Sequence, residues 1–236
     1  MSFSKRLCAA CGLLLVTVLP TLPGSPAAAT PQPLRPPNGT YVYTMAVGGS
    51  TVFNSTIVVD GSGSTFGISE TTKLPNGAIA TTSSTWSCDT LLPRTFEVHQ
   101  GKVTLRARIT PAALTLDGTR VSFPRIPGTS YVLPSVGLLA TIMIYPYVVS
   151  AHPGESFTQA EIQNNQTVVI RPDSAPSPAA GPAGDTAIAL IKNEEYGKGA
   201  DQERIVTWLS DKTGVMDAAQ ADPGGAKITL LSFKPR

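Results

Sequence analysis

Charge is scarce in this chain: 14% of its 236 residues are Asp, Glu, Lys or Arg, 6% are aromatic, and it has three cysteines and two histidines. Lys5 and Arg6 are two of the 18 basic residues and no acid precedes residue 30, so 16 residues of each sign remain beyond residue 29. A balanced charge excludes nucleic acid as a partner, because polyanion binders gather Lys and Arg on one face. His99 and His152 lie far apart with no His, Cys or Asp at ligand spacing, so neither a metal site nor a cofactor is expected. Cys88 is the single cysteine past residue 29, which excludes an intramolecular disulfide and reads as a small buried hydrophobe. Long apolar runs are missing too: Leu7 to Leu19 is shorter than the roughly 20 residues that cross a bilayer core.

What is present starts at the N-terminus. A charged pair, Lys5-Arg6, precedes that apolar run, and Ala27-Ala28-Ala29 places small residues at the minus-three and minus-one positions of a signal-peptidase site. Residues 1–29 therefore read as a cleaved signal, placing the protein in a periplasm or outside the cell, with no membrane span after cleavage. Cys8-x-x-Cys11 falls within the discarded segment, and Cys11 follows Lys5-Arg6 too closely for lipoprotein processing. Residues 30–39 carry Pro31, Pro33, Pro36 and Pro37 and read as an extended tether. Residues 40–236 then form a single β-rich domain, long enough to bury a core without covalent staples.

Within that domain the dominant period is two. Tyr41, Tyr43 and Met45 alternate with Val42, Thr44 and Ala46, and Gly48-Gly49-Ser50 turns the chain towards Phe53, Ile57 and Val59. Phe66 and Ile68 open a third strand, and Asn76-Gly77 predicts a type I′ turn before a fourth strand ending at Trp86. Val103, Leu105, Ala107 and Ile109 share one face of the next clear strand, and Asp117-Gly118-Thr119 joins Leu114 and Leu116 to Val121 and Phe123. Further strands are expected at 167–171, 187–191, 204–209, 215–220 and 226–233. Two segments interrupt the pattern. Ile126 to Gly154 lacks any charged residue, and Val136 to Tyr145, bounded by Pro134 and Pro146, predicts a buried helix that plugs the sheet. Residues 172–184, rich in Pro, Ala and Gly, read as a flexible loop.

No catalytic pattern emerges. Gly67-Ile68-Ser69, Gly128-Thr129-Ser130 and Gly154-Glu155-Ser156 each lack the second glycine of a nucleophile elbow. Asp60-Gly61-Ser62-Gly63 has the wrong order for an aspartic-protease loop and suits a hairpin turn. The expectation is a non-enzyme, without catalytic residues.

At Trp86-Ser87-Cys88-Asp89-Thr90-Leu91-Leu92-Pro93-Arg94 the chain resembles a broad, largely uncharacterised family of secreted bacterial β-proteins. Pro153-Gly154-Glu155 after the apolar helix, and Trp208-Leu209-Ser210-Asp211 followed by Gly214, fall in that family's order. Such proteins look like distant relatives of the LolA and LolB lipoprotein carriers. The resemblance implies a mainly β fold, a curved antiparallel sheet forming an incomplete barrel, with one apolar helix packed on the concave face. It also implies a cavity for a lipid or other apolar small molecule, with Trp86, Leu138, Leu139, Ile142, Met143 and Trp208 as candidate lining. Taken singly, each of these six is better read as plain core, since apolar side chains are mostly inside for packing reasons. The alternatives are a structural or interaction component of the cell envelope, partnered by another envelope protein, and an unrecognised hydrolase.

Overall fold

The computed structural model describes residues 35–236 apart from 101–102, 136–138, 163–164, 173–176, 181–185, 197–201 and 223–224. The expected signal sequence lies outside the described residues. Eight strands follow one another as a meander: β1 (Gly39–Val47), β2 (Ser50–Ser62), β3 (Thr65–Lys73), β4 (Ile79–Ser87), β5 (Pro93–Gln100), β6 (Val103–Ile109), β7 (Ala113–Leu116) and β8 (Ser122–Pro124). Each pairs antiparallel with the next. The turn between β3 and β4 differs from the type I′ expectation. Gly77 donates its N–H to the Leu74 carbonyl at 2.9 Å, which puts Pro75 and Asn76 at the centre, and Gly77, not Asn76, has positive φ, at 80°. A proline's fixed φ suits the first central position of a type I turn, so Pro75 shifts the turn back by one residue.

The remaining elements are β9 (Tyr131–Ser135), α1 (Leu139–Ala151), β10 (Phe157–Glu161), β11 (Gln166–Pro172), β12 (Ser177–Ala180), β13 (Thr186–Tyr196), β14 (Gln202–Ser210), β15 (Met216–Asp222) and β16 (Ala226–Pro235). One large curved sheet results, ordered β8-β7-β6-β5-β4-β3-β2-β1-β16-β15-β14-β13-β11-β10-β9, and it does not close into a barrel. The first and last strands pair in its middle, Gly39 opposite Pro235. β12, within the expected loop at 172–184, pairs antiparallel with β13. β9 and β10 are the one parallel pair among the described strands, because α1 connects them and a parallel return needs such a crossover.

α1 lies on the concave face. Leu139, Met143, Ile144 and Val148 are fully buried in one core with Tyr41, Ile57, Phe66 and Trp86 from β1–β4 and with Ile205, Leu209, Met216 and Ile228 from β14–β16. The helix was expected to stop at Pro146, yet it runs on to Ala151. Pro146 forfeits the amide bond to the Ile142 carbonyl, a cost of about 3 kcal/mol or more. Burial of Tyr147, Val148 and Val149 beyond it keeps the helix in place, and Ser150 Oγ donates to the Pro146 carbonyl at 2.7 Å. Its end is marked by the His152 amide donating to Val148, followed by Gly154 at φ 77°. No described helix is long and apolar enough to cross a membrane.

A second, smaller core ties the two ends of the sheet together. Phe96, Ala107, Leu114 and Phe123 of β5–β8 pack with Val132 of β9 and Ala160 of β10. Where β9 meets β5–β7 there is a seam without a backbone ladder.

Candidate functional site

α1 has no acidic residue in its first turn and no basic residue in its last. The amides that begin a helix have no partner within it and attract negative charge. Glu70, projecting inward from β3 and 1% exposed, supplies that charge. Its Oε1 accepts from the Leu139 amide at 3.1 Å and from Thr72 Oγ1 at 3.0 Å, and its Oε2 accepts from the Ala140 amide at 2.9 Å. Thr72 Oγ1 in turn lies 2.7 Å from Ser55 Oγ on β2. Burial pushes the Glu70 carboxyl above its ordinary pKa, opposed by hydrogen bonds from Ser55, the two amides and Thr72. Glu70 is not among the candidate residues read from the sequence. The available signal was phase: Phe66, Ile68, Glu70 and Thr72 share one parity on β3, and all are buried.

Three buried tyrosines donate to backbone carbonyls: Tyr147 ties the C-terminal half of α1 to the sheet, and Tyr41 and Tyr43 of β1 bond elsewhere. Tyr43 donates its hydroxyl to the Met216 carbonyl at 2.8 Å, Tyr147 donates to Gly214 in the β14–β15 turn, and Tyr41 donates to Pro37. Burial drives the Tyr43 and Tyr147 pKa values well above 10, with further upward contributions from neighbouring tyrosines and Asp217. These hydroxyls therefore stay protonated and act as donors.

Four of the six candidate lining residues meet in one core. Trp86 is 3% exposed, stacks on Phe66 with ring centroids 6.5 Å apart, and donates Nε1–H to Ser84 Oγ at 2.8 Å. Leu139 and Met143 are fully buried and Ile142 packs half-buried against the same cluster. Leu138 lies outside the described residues. Trp208 is half-buried and out of phase with Ile205 and Leu209, which face the core, so it sits on the other face of β14. Where Ala140 and Thr141 face Glu70, Trp86 and Phe96, the remaining space is about 10 Å³, at the lower limit for one water.

More room exists at the seam. A cavity of about 290 Å³ opens between the Ser87–Arg94 segment, Ile109–Pro111 and Tyr131–Val132. The first of these segments falls within the motif at 86–94, whose residues other than Trp86 are not among the expected lining. Its backbone is held tightly: Ser87 N–H donates to Leu92, Leu91 N–H to Ser87, and Cys88 N–H to Ser64. Leu91 has φ 49° with its side chain 1% exposed. A left-handed leucine costs about 1–2 kcal/mol, strain that persists only where the surroundings over-determine it. His152 braces the loop from behind, its Nε2 lying 2.7 Å from the Thr90 carbonyl. A carbonyl only accepts, so Nε2 carries the proton there. The imidazole also contacts Tyr131 and Phe157, with ring centroids 5.1 and 6.0 Å away, and its Nδ1 is 3.6 Å from Glu155.

A second depression, about 330 Å³, lies over Gly67 with Asp60, Ser69 and Ser83 at its edge. Its rim is polar, whereas Leu92, Pro93, Ile109 and Tyr131 give the seam cavity apolar walls. Among the described residues, no three His, Cys, Asp or Glu side chains are grouped to hold a metal ion.

Fold and site together define a mainly β protein, an open curved sheet plugged by one helix, with a separate groove at the seam. No family model, curated protein or solved structure matches the chain.

Proposed function

We propose that the protein is an exported, non-enzymatic component of a cell envelope that binds a lipid or other hydrophobic ligand, the ligand class the LolA/LolB resemblance implies but at a different place in the fold. The ligand enters the seam groove and not the space beside Ala140 and Trp86, which is about 10 Å³ among the described residues. One observation carries this reading: a cavity of about 290 Å³ walled by Leu92, Pro93, Ile109, Pro111, Tyr131 and Val132. Small-molecule pockets run from about 300 to 1,000 Å³ and combine apolar walls with a few polar groups, so this one stands at the small end.

A second reading, a structural or interaction component, draws support from the same full burial of Leu139, Met143 and Ile144, which makes the concave face a packed core. Native mass spectrometry of protein purified from its host's envelope separates the two. The binding reading predicts a co-purifying lipid mass that is lost in Ile109→Glu. A clean protein mass, together with no saturable binding of added fatty acids or lysolipids, would leave the structural reading standing.

A further inference from the structure

The seam groove has two properties that select among hydrophobic ligands. It is small, about 290 Å³, and its lining includes one side chain of each sign, Asp89 and Arg94. A volume at the low end of ligand pockets admits one acyl chain or part of one, not a diacyl lipid. Arg94 offers a planar guanidinium suited to a phosphate, and Asp89 offers a carboxylate suited to an ammonium group. Both side chains are exposed at the mouth, while Pro93 and Val132 are buried deeper. Thr90 and Thr110, exposed as well, complete the polar part of the lining.

Resting on the binding reading above, we propose that the ligand is a single-chain amphiphile with a zwitterionic headgroup, its phosphate on Arg94 and its ammonium on Asp89. The carboxylate is the selective element. A purely anionic amphiphile, such as a fatty acid, gains Arg94 but meets Asp89, and like charges at a site disfavour the wrong ligand. A neutral head leaves both charges without a counterpart.

The test is calorimetric titration with three probes of equal chain length below their critical micelle concentrations: lysophosphatidylethanolamine, lysophosphatidylglycerol and a monoacylglycerol. Wild type is expected to bind the ethanolamine lipid about tenfold more tightly than the other two. Arg94→Ala should remove its advantage over the monoacylglycerol, and Asp89→Asn should bring the glycerol lysolipid level with it. Melting temperatures near wild type confirm that both variants fold, as their exposure leads one to expect. Equal affinity for all three heads overturns the headgroup assignment while leaving hydrophobic binding intact. Absence of saturable binding to all three overturns both.

Discussion

Glu70 Oε2 accepts a hydrogen bond from the Ala140 amide at 2.9 Å, across 70 residues of sequence, and thereby fixes the start of α1 to the third strand of the sheet. The contact does what an N-cap residue does elsewhere, but from another element. Removing it strands two amides, the buried one of Leu139 and the part-buried one of Ala140. Glu70→Leu is expected to lower stability by about 2–5 kcal/mol, since each unsatisfied buried donor costs about 1–3 kcal/mol. Glu70→Gln, which retains an acceptor oxygen, should lose less than half of that. Urea midpoints at fixed pH measure both. Equal midpoints for wild type and Glu70→Leu would detach α1 from β3.

The same carboxyl makes a pH prediction. Its native pKa is raised above the ordinary 4.5, chiefly by burial. Between 4.5 and the raised value the folded state holds more protons than the unfolded state, so stability falls as pH rises through that window. The contribution is fully present below 4.5 and lost above the native pKa. Measured against Glu70→Gln, wild-type stability should therefore decline from about pH 4.5 upward. A difference that stays flat, or climbs with pH, would mean that the carboxyl is not desolvated.

Position along α1 should set mutational cost. Met143 is fully buried and Ile142 half-buried. Met143→Ala is expected to cost about 2–5 kcal/mol, the range for emptying a closed core site, and Ile142→Ala distinctly less. Ile142→Asp should still destabilise, because Ile142 packs against the central cluster. Chemical unfolding of the three variants orders them, and a larger effect at Ile142→Ala than at Met143→Ala would reverse the assigned face.

At Leu91 two effects oppose. Truncation loses a buried side chain, while glycine alone relieves the left-handed backbone at φ 49°. Leu91→Gly should accordingly be about 1 kcal/mol more stable than Leu91→Ala, the reverse of the ordinary order. Thermal melts of the pair decide the matter.

Much of this architecture is legible as alternation. Val103–Ile109 and the Asp117-Gly118 hairpin read directly because one face is apolar and the other wet. β9 and β10 do not announce themselves that way. Val132, Leu133, Pro134 and Ser135, and Phe157 to Ala160, are buried in succession, as befits strands covered on both faces, so no period of two survives. α1 ran past its apparent stop because burial beyond Pro146 outweighs a missing backbone bond. Of the candidate lining residues, Trp86, Leu139 and Met143 were legible as apolar, and they meet in the core under the helix, not in the seam groove. Trp208 belongs to the other face of its strand, and the seam groove depends on strands distant in sequence, β5, β6 and β9, meeting across a gap that no local pattern encodes.

Ligand bound in the seam should leave the plug undisturbed. Hydrogen exchange with and without saturating lysophosphatidylethanolamine tests it most directly. Slowed exchange is expected in segments 87–94, 109–111 and 131–132, with α1 unchanged. Protection, or loss of it, concentrated in Leu139–Ala151 and the β1–β4 face would contradict it and place the ligand beneath the helix.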